Sequence, residues 1–225
     1  MEILPNIHLI PNIVANPYLI IEPQGLTLID AGLPGSHKKI LKYMASLGFA
    51  PRGLKRVIIT HADFDHVGGL AALKAATGAR VFANATEAGA MAVGHASRPL
   101  KPANFLAKFL FGMMGRMFKA TPVQVDELLT DGQVIPVLGG LRVLETFGHT
   151  PGHISLFSAS TGILFSGDSI VSDKNGVLRG SSGSNNWDQT RSDESVRKQA
   201  ALGAKILCPG HGPVVKDAAD KFPQV

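Results

Sequence analysis

The sequence predicts an α/β protein in which two β-sheets pack together and helices cover them. Strand and helix patterns alternate in the first part of the chain, short strand patterns dominate residues 134–166, and a helix and a strand follow. The chain has 225 residues, and 45% of its residues are hydrophobic, so a core can form and intrinsic disorder is not expected. We therefore expect a single domain over residues 1–225.

The first part of the chain alternates between the two patterns. Strands are predicted over residues 18–21, 26–29, 54–60 and 79–83, and helices over 36–47 and 68–76. Apolar residues recur at helical spacing between 36 and 47, and Ser36 is the expected N-cap of that helix.

The second part is rich in β-branched residues and in turns that contain glycine. Strands are predicted over residues 134–137, 141–146, 154–158 and 163–166. A helix over 192–202, a strand over 205–208 and a short helix around 217–221 complete the prediction.

The net charge of +5 comes from one segment. Residues 95–125 contain no acidic residue and five basic ones, which are Arg98, Lys101, Lys108, Arg116 and Lys119. The remainder of the chain has 17 basic and 17 acidic residues and is formally neutral. A nucleic-acid-binding protein usually spreads its basic residues along a face, so no nucleic-acid partner is expected.

The basic segment, about 95–125, is predicted to be an amphipathic insertion in the domain. Projected on a helix, its basic side chains fall on one side and its apolar side chains on the other. Three alternatives follow: a helix packed on the body, a lid over a substrate pocket, or contact of residues 101–119 with a membrane surface. In the second alternative, an apolar pocket would be lined by Phe105, Phe109, Met113 and Met117.

The N-terminal sequence MEILPNIHLIPN lacks the features of a signal peptide. No apolar run approaches the ~20 residues that a transmembrane helix needs. The single cysteine, Cys208, excludes an intramolecular disulfide. We therefore expect a cytoplasmic protein, and no oligomeric state is predicted.

Histidines and aspartates follow four of the predicted strands. The segments are 60–69 (THADFDHVGG), 148–153 (GHTPGH), 166–169 (SGDS) and 209–213 (PGHGP). Their His and Asp side chains can bind divalent metals, and glycine and proline form tight turns that hold such ligands on strand ends. Four such turns in one chain, one of them with His-x-Asp-x-Asp-His, indicate a metal site rather than scattered polar loops.

These segments, in this order, together with LIDAG at 28–32, resemble the metallo-β-lactamase superfamily. This group of metallohydrolases includes glyoxalase II, lactonases and phosphodiesterases. The resemblance covers nearly the whole chain. It implies a four-layer αββα sandwich, with the basic segment as an insertion of the kind that often covers the substrate in this family.

The resemblance also implies two divalent metal ions and a role for each motif residue. His61, Asp63 and His149 would form the first site, and Asp65, His66 and His211 the second, with Asp168 as a bridge. Asp65 would also orient the hydroxide that attacks the substrate. Asp30 and His153 would support the ligands without binding metal.

One position departs from the family pattern, because Asp63 stands where the family usually has histidine. The carboxylate makes the first metal a weaker Lewis acid and shifts the preference from zinc toward iron or manganese. Zinc remains the expected metal, with iron or manganese as alternatives.

The function that the resemblance implies is hydrolysis of a small ester, thioester or lactone by a metal-bound hydroxide. A glyoxalase II-like thioesterase is the nearest description. The alternatives are a lactonase or phosphodiesterase of the same fold, or a non-catalytic module that binds metal or a membrane surface. The expected partner is a small-molecule substrate.

Overall fold

The computed structural model describes residues 1–99, 119–183 and 186–225. Its helices are α1 (Ser36–Ser46), α2 (Phe64–Val67), α3 (Leu70–Thr77), α4 (Ala85–Val93) and α5 (Gln189–Ala200). A 3₁₀ turn, Pro51–Gly53, precedes the fifth strand.

The first sheet has seven strands in sequence order. They are β1 (Glu2–Leu4), β2 (Ile7–Leu9), β3 (Tyr18–Glu22), β4 (Gly25–Ile29), β5 (Leu54–Ile58), β6 (Arg80–Asn84) and β7 (Glu127–Leu129). The pairs up to β3–β4 are antiparallel and those from β4–β5 onward are parallel. Helices connect the parallel strands β4, β5 and β6, as such crossovers require.

The second sheet has the strand order β15-β14-β11-β10-β9-β8. Its strands are β8 (Val134–Ile135), β9 (Leu141–Glu145), β10 (Ile154–Ser158), β11 (Ile163–Gly167), β14 (Ile206–Pro209) and β15 (Val215–Lys216). A separate hairpin joins β12 (Ile170–Ser172) to β13 (Leu178–Gly180).

Neighbouring residues on the central strands point into different cores. Leu28 packs with helices α1 and α3 on the outer face of the first sheet, whereas Ile29 lies between the sheets. Phe165 lies between the sheets as well, and Leu164 packs with α5 outside the second sheet. This alternation produces four layers, αββα, and it confirms the predicted fold class.

The strand directions bring the four motif turns to one edge of the sandwich. Strands β9, β11 and β14 run in the same direction, because β10 is antiparallel to both β9 and β11, and β14 is parallel to β11. The turn after β5 approaches this edge from the first sheet. There the backbone N–H of Ile154 donates to the carbonyl of Thr60 at 3.0 Å, which joins the two sheets.

Two local predictions were wrong. Gly35, in a left-handed conformation with φ of 89°, is the N-cap of α1, and Ser36 is its first helical residue. Residues 217–221 form a bend and a turn instead of a short helix, because strand β15 pairs with β14 immediately before them.

Most of the proposed insertion lies outside the described residues. Residues 100–118, with Phe105, Phe109, Met113 and Met117 among them, belong to this part, so the three alternatives for the segment stay predictions. Beyond it, Val123 is buried in the core that α1 and α3 cover. In the described ranges, no helix combines the length and apolar character that crossing a membrane needs.

Candidate metal centre

The turn after β5 carries four of the motif side chains. His61 follows the strand, Asp63 occupies the N-cap position of α2, and Asp65 and His66 lie within this one-turn helix. Helix α2 has only one turn, and it directs Asp65 and His66 toward the same edge of the sheet. His149, Asp168 and His211 come from the turns after β9, β11 and β14.

The first metal group consists of His61, Asp63 and His149. Asp63 Oδ2 lies 3.7 Å from His61 Nε2 and 3.3 Å from His149 Nε2. The two histidines are buried, and Asp63 is nearly so. The three donor atoms lie close enough to bind one cation.

The second metal group consists of Asp65, His66 and His211. Asp65 Oδ2 lies 3.2 Å from His211 Nε2, and the ring centroids of His66 and His211 are 5.5 Å apart. His211 and Asp65 are partly exposed, so this group forms the more accessible side of the centre.

Asp168 lies between the two groups. Its Oδ2 is 3.7 Å from His149 Nε2 and 3.3 Å from His211 Nε2, and its Oδ1 is 3.4 Å from His66 Nε2. Gly210 approaches this carboxylate closely, since a Cβ atom at that position would lie 2.2 Å from Asp168 Oδ1. The bridging position implied by the resemblance is therefore geometrically available to Asp168.

Hydrogen bonds aim the donor nitrogens into the centre. Thr60 Oγ1 donates to Asp30 Oδ2 at 2.8 Å, so it accepts from His61 Nδ1 at 3.0 Å. His66 Nδ1 donates to the same Asp30 oxygen at 2.8 Å. The Nε2 lone pairs of both rings therefore face the centre, as metal ligation requires.

The donor set fits metal ions. Buried atoms without a hydrogen-bond partner within the described ranges include His61 Nε2, Asp63 Oδ1, His66 Nε2, His149 Nε2 and Asp168 Oδ1. Such buried polar atoms are costly unless something binds them. All five atoms belong to residues of the candidate metal groups and together offer nitrogen and carboxylate ligands, which suits zinc, iron or manganese.

The carboxylates of the centre are held in the ionised form. Burial raises the pKa of Asp63, but the close approach of His149 and His61 and the charge of Arg98 outweigh burial and lower it. The pKa of Asp65 is lowered as well, since a hydrogen bond from His211 outweighs its burial. Burial lowers the pKa of His211, but its hydrogen bonds to Asp168 and Asp65 raise it to about 9.

His153 has both ring nitrogens engaged. Its Nε2 accepts from the backbone N–H of Asp168 at 3.0 Å, so its Nδ1 donates to Thr146 Oγ1 at 2.8 Å. Burial and the neighbouring His61 and His149 lower its pKa well below the usual value, which favours this neutral form. The ring positions the turn that carries Asp168 and offers no nitrogen to a metal.

Replacing Asp30 by Asn is expected to weaken zinc binding by about 10–100-fold, a usual cost of losing a supporting carboxylate. Asp30 has φ of 59°, a conformation that Asn also tolerates, so the backbone is retained. The amide replaces one accepting oxygen with an NH₂ donor. This donor must face either the backbone N–H of Thr60, which donates to Asp30 Oδ1 at 2.9 Å, or the Thr60 and His66 donors at Oδ2, so the ring orientations are no longer fixed. Competition with a chromophoric chelator measures the effect, and unchanged affinity would show that Asp30 does not orient the ligands.

A cavity of about 460 Å³ opens over the centre. Asp63, Asp65 and His211 contribute to its floor, and Val171 and Arg179 of the β12–β13 hairpin to its wall. A second cleft of about 480 Å³ lies beside α5 and contains none of the motif residues. The first cavity is therefore the candidate substrate site.

Two residues of the site carry no recognisable sequence pattern. The buried Glu87 of α4 accepts from the backbone N–H groups of Ala62 and Gly152 and from the hydroxyls of Ser97 and Thr150, at 2.7–2.9 Å. It therefore ties two motif turns together. Arg98, counted only as part of the basic segment, forms an ion pair with Asp63. Both contacts join residues distant in sequence, and no local pattern marks them.

Sequence comparison matches residues 11–211 to the Metallo-beta-lactamase superfamily. The uncharacterized protein YobT of Bacillus subtilis is 30% identical over 223 residues, which cover 93% of this chain and 88% of that protein. The probable metallo-hydrolase YflN of the same organism is 31% identical, with coverage of 88% and 81%. A hydroxyacylglutathione hydrolase of Cereibacter sphaeroides is 34% identical over 75% of this chain, which spans only 52% of that enzyme.

Solved structures show the same architecture. A metallo-beta-lactamase of Cronobacter sakazakii with a HARLDQ motif superposes with a TM-score of 0.72 at 27% identity, covering 93% of this chain and 79% of the other. A metallo-beta-lactamase family protein from Thermus thermophilus has a TM-score of 0.75 at 23% identity, with coverage of 98% and 78%, and shares the fold. The matched range, the αββα layers and the His and Asp turns agree, and the chain belongs to the metallo-beta-lactamase superfamily.

Proposed function

We propose that this hydrolase holds two divalent metal ions and cleaves a small ester, thioester or lactone. The observation that supports the proposal most strongly is the convergence of two His and Asp groups on the shared Asp168, beneath one open cavity. His61, Asp63 and His149 would hold the first ion, and Asp65, His66 and His211 the second. Two such ions, when bound, lower the pKa of water and polarise a carbonyl oxygen.

The chain's own residues would orient the reactants. Asp65 is partly exposed at the cavity floor, where its carboxylate can accept a proton from the attacking water. Its contact with His211 Nε2, at 3.2 Å, holds it toward the second metal group. Asp30, through Thr60 and His66, fixes the ligand rings, so that little reorganisation accompanies the reaction.

The substrate class rests on the cavity and on the relatives. A volume of about 460 Å³ suits a small molecule. Hydroxyacylglutathione hydrolases of Cereibacter sphaeroides are among the relatives, and this supports a thioester. The matched region covers about half the length of those enzymes, so the experiment includes thioester, ester and lactone substrates.

The test combines metal analysis with a substrate panel. Purified protein is loaded with zinc, manganese or ferrous iron and assayed on an S-acyl thioester, an aryl ester, γ- and δ-lactones and an aryl phosphodiester. We expect a carbonyl substrate to be turned over at least about 100-fold faster than the phosphodiester, a discrimination typical of transition-state recognition. A chelator should abolish this activity, and added metal should restore it.

Two outcomes would contradict the proposal. Faster turnover of the phosphodiester would assign the centre to the alternative phosphodiesterase function. Metal binding without turnover of any substrate would assign it to a non-catalytic module.

A further inference from the structure

We propose that Arg98 compensates the charge of Asp63 and thereby sets how tightly the first metal group holds its cation. The inference rests on the proposed metal centre. It explains how a carboxylate can stand where the family usually has a neutral histidine. Arg98 acts through Asp63 and is therefore a positioning residue.

The contact between the two side chains is short and buried. Arg98 Nη2 lies 2.6 Å from Asp63 Oδ2, and the side chains are only 8% and 16% exposed. The same oxygen faces His149 Nε2 at 3.3 Å and His61 Nε2 at 3.7 Å. The guanidinium of Arg98 and the two imidazoles of the first metal group therefore all lie within 4 Å of the same carboxylate oxygen.

Both members of the pair are anchored to one buried carboxylate. Ser97, next to Arg98, donates its hydroxyl to Glu87 Oε1 at 2.8 Å. Ala62, next to Asp63, donates its backbone N–H to Glu87 Oε2 at 2.7 Å. Glu87 thus fixes the spacing of the two segments, and the ion pair is part of the folded framework rather than a surface contact.

The pair restores the charge of a three-histidine site. His61 and His149 would bind metal as neutral rings, Asp63 carries one negative charge, and Arg98 carries one positive charge. The formal sum is zero, as for three neutral histidines. Without Arg98, the first metal group would carry an extra negative charge and bind a cation more tightly, because buried charges interact strongly.

The experiment compares wild type with D63H, R98M and the double variant D63H/R98M. Zinc dissociation constants are measured by competition with a chromophoric chelator, together with bound zinc per chain. The D63H protein should bind zinc in the first metal group at least about tenfold more weakly, because the positive guanidinium of Arg98 then faces the cation without a neutralising carboxylate. The R98M protein should bind it at least about tenfold more tightly, and the double variant should return to within about threefold of wild type.

Two further variants serve as controls. R98K keeps the charge and should bind zinc as wild type does, which separates charge from loss of folding in R98M. R179M removes an arginine from the same cavity, but Arg179 is 65% exposed and pairs with Asp173, outside both metal groups. Its zinc affinity should therefore equal that of wild type.

Three results would separate the inference from the proposed function. A double variant that binds zinc no better than D63H would overturn charge compensation while leaving the metal centre intact. Wild-type zinc affinity in R98M, with a raised KM, would instead make Arg98 a substrate contact and overturn the inference. Failure of wild type and all variants to bind zinc, manganese or iron would overturn the proposed function, and this inference with it.

Discussion

Replacing Asp65 by Asn is expected to lower kcat/KM for the best carbonyl substrate by about 10³-fold. The amide has the size of the carboxylate but carries no charge and cannot take a proton from water. Asp65 is partly exposed beside His211 and belongs to neither of the hydrophobic clusters next to it, so the melting temperature of the metal-free protein should change little. Steady-state kinetics and a thermal melt measure the two effects.

A surface aspartate provides the matched control for this variant. Asp220 is exposed and belongs to neither metal group, so Asp220→Asn should retain wild-type kcat/KM. If Asp65→Asn hydrolyses the substrate as fast as wild type does, Asp65 has no part in the reaction and the mechanism is wrong.

Removing the metals is expected to lower the melting temperature by about 5–10 °C. A ligand that binds only the folded state at 100 times its dissociation constant stabilises by about 2.7 kcal/mol, and each kcal/mol shifts a domain of this size by roughly 2–4 °C. The physical cause lies in the centre, where buried ligand atoms have no hydrogen-bond partner within the described part of the chain and the carboxylates of Asp65 and Asp168 repel each other.

Differential scanning calorimetry of metal-free and metal-loaded protein measures this shift. The melting temperatures after reloading with zinc, manganese or ferrous iron rank the metals by how strongly each stabilises the protein. This ranking tests whether the carboxylate of Asp63 shifts the preference from zinc toward iron or manganese. The shift should shrink in Asp168→Asn, because one bridging oxygen is lost from both groups. Equal melting temperatures with chelator and with each metal would mean that the centre binds none of them.

The sequence patterns predicted the central strands well, because a strand that is buried on both faces has a continuous run of apolar residues. Leu28 and Ile29 are both apolar since one packs under helices and the other between the sheets. The N-terminal strands β1 and β2 were missed, because each has only three residues. Residue type alone favours Ser36 as the N-cap of α1, but the left-handed turn at Gly35 makes Gly35 the cap.

The motifs predicted which side chains meet, because turns after neighbouring strands share an edge of a sheet. His61, His149 and His211 illustrate this, since they come from turns far apart in sequence and lie together in the structure. The roles of Arg98 and Glu87 could not be predicted, because an ion pair or hydrogen bond between distant segments has no periodicity to reveal it.

The central claim is that two metal ions lie side by side between these turns. The most direct measurement is anomalous diffraction from crystals of the zinc-loaded protein. We expect two peaks about 3.5–4 Å apart, as in other two-metal sites, with Asp168 between them. A single peak, or zinc bound away from Asp168, would contradict the two-metal centre.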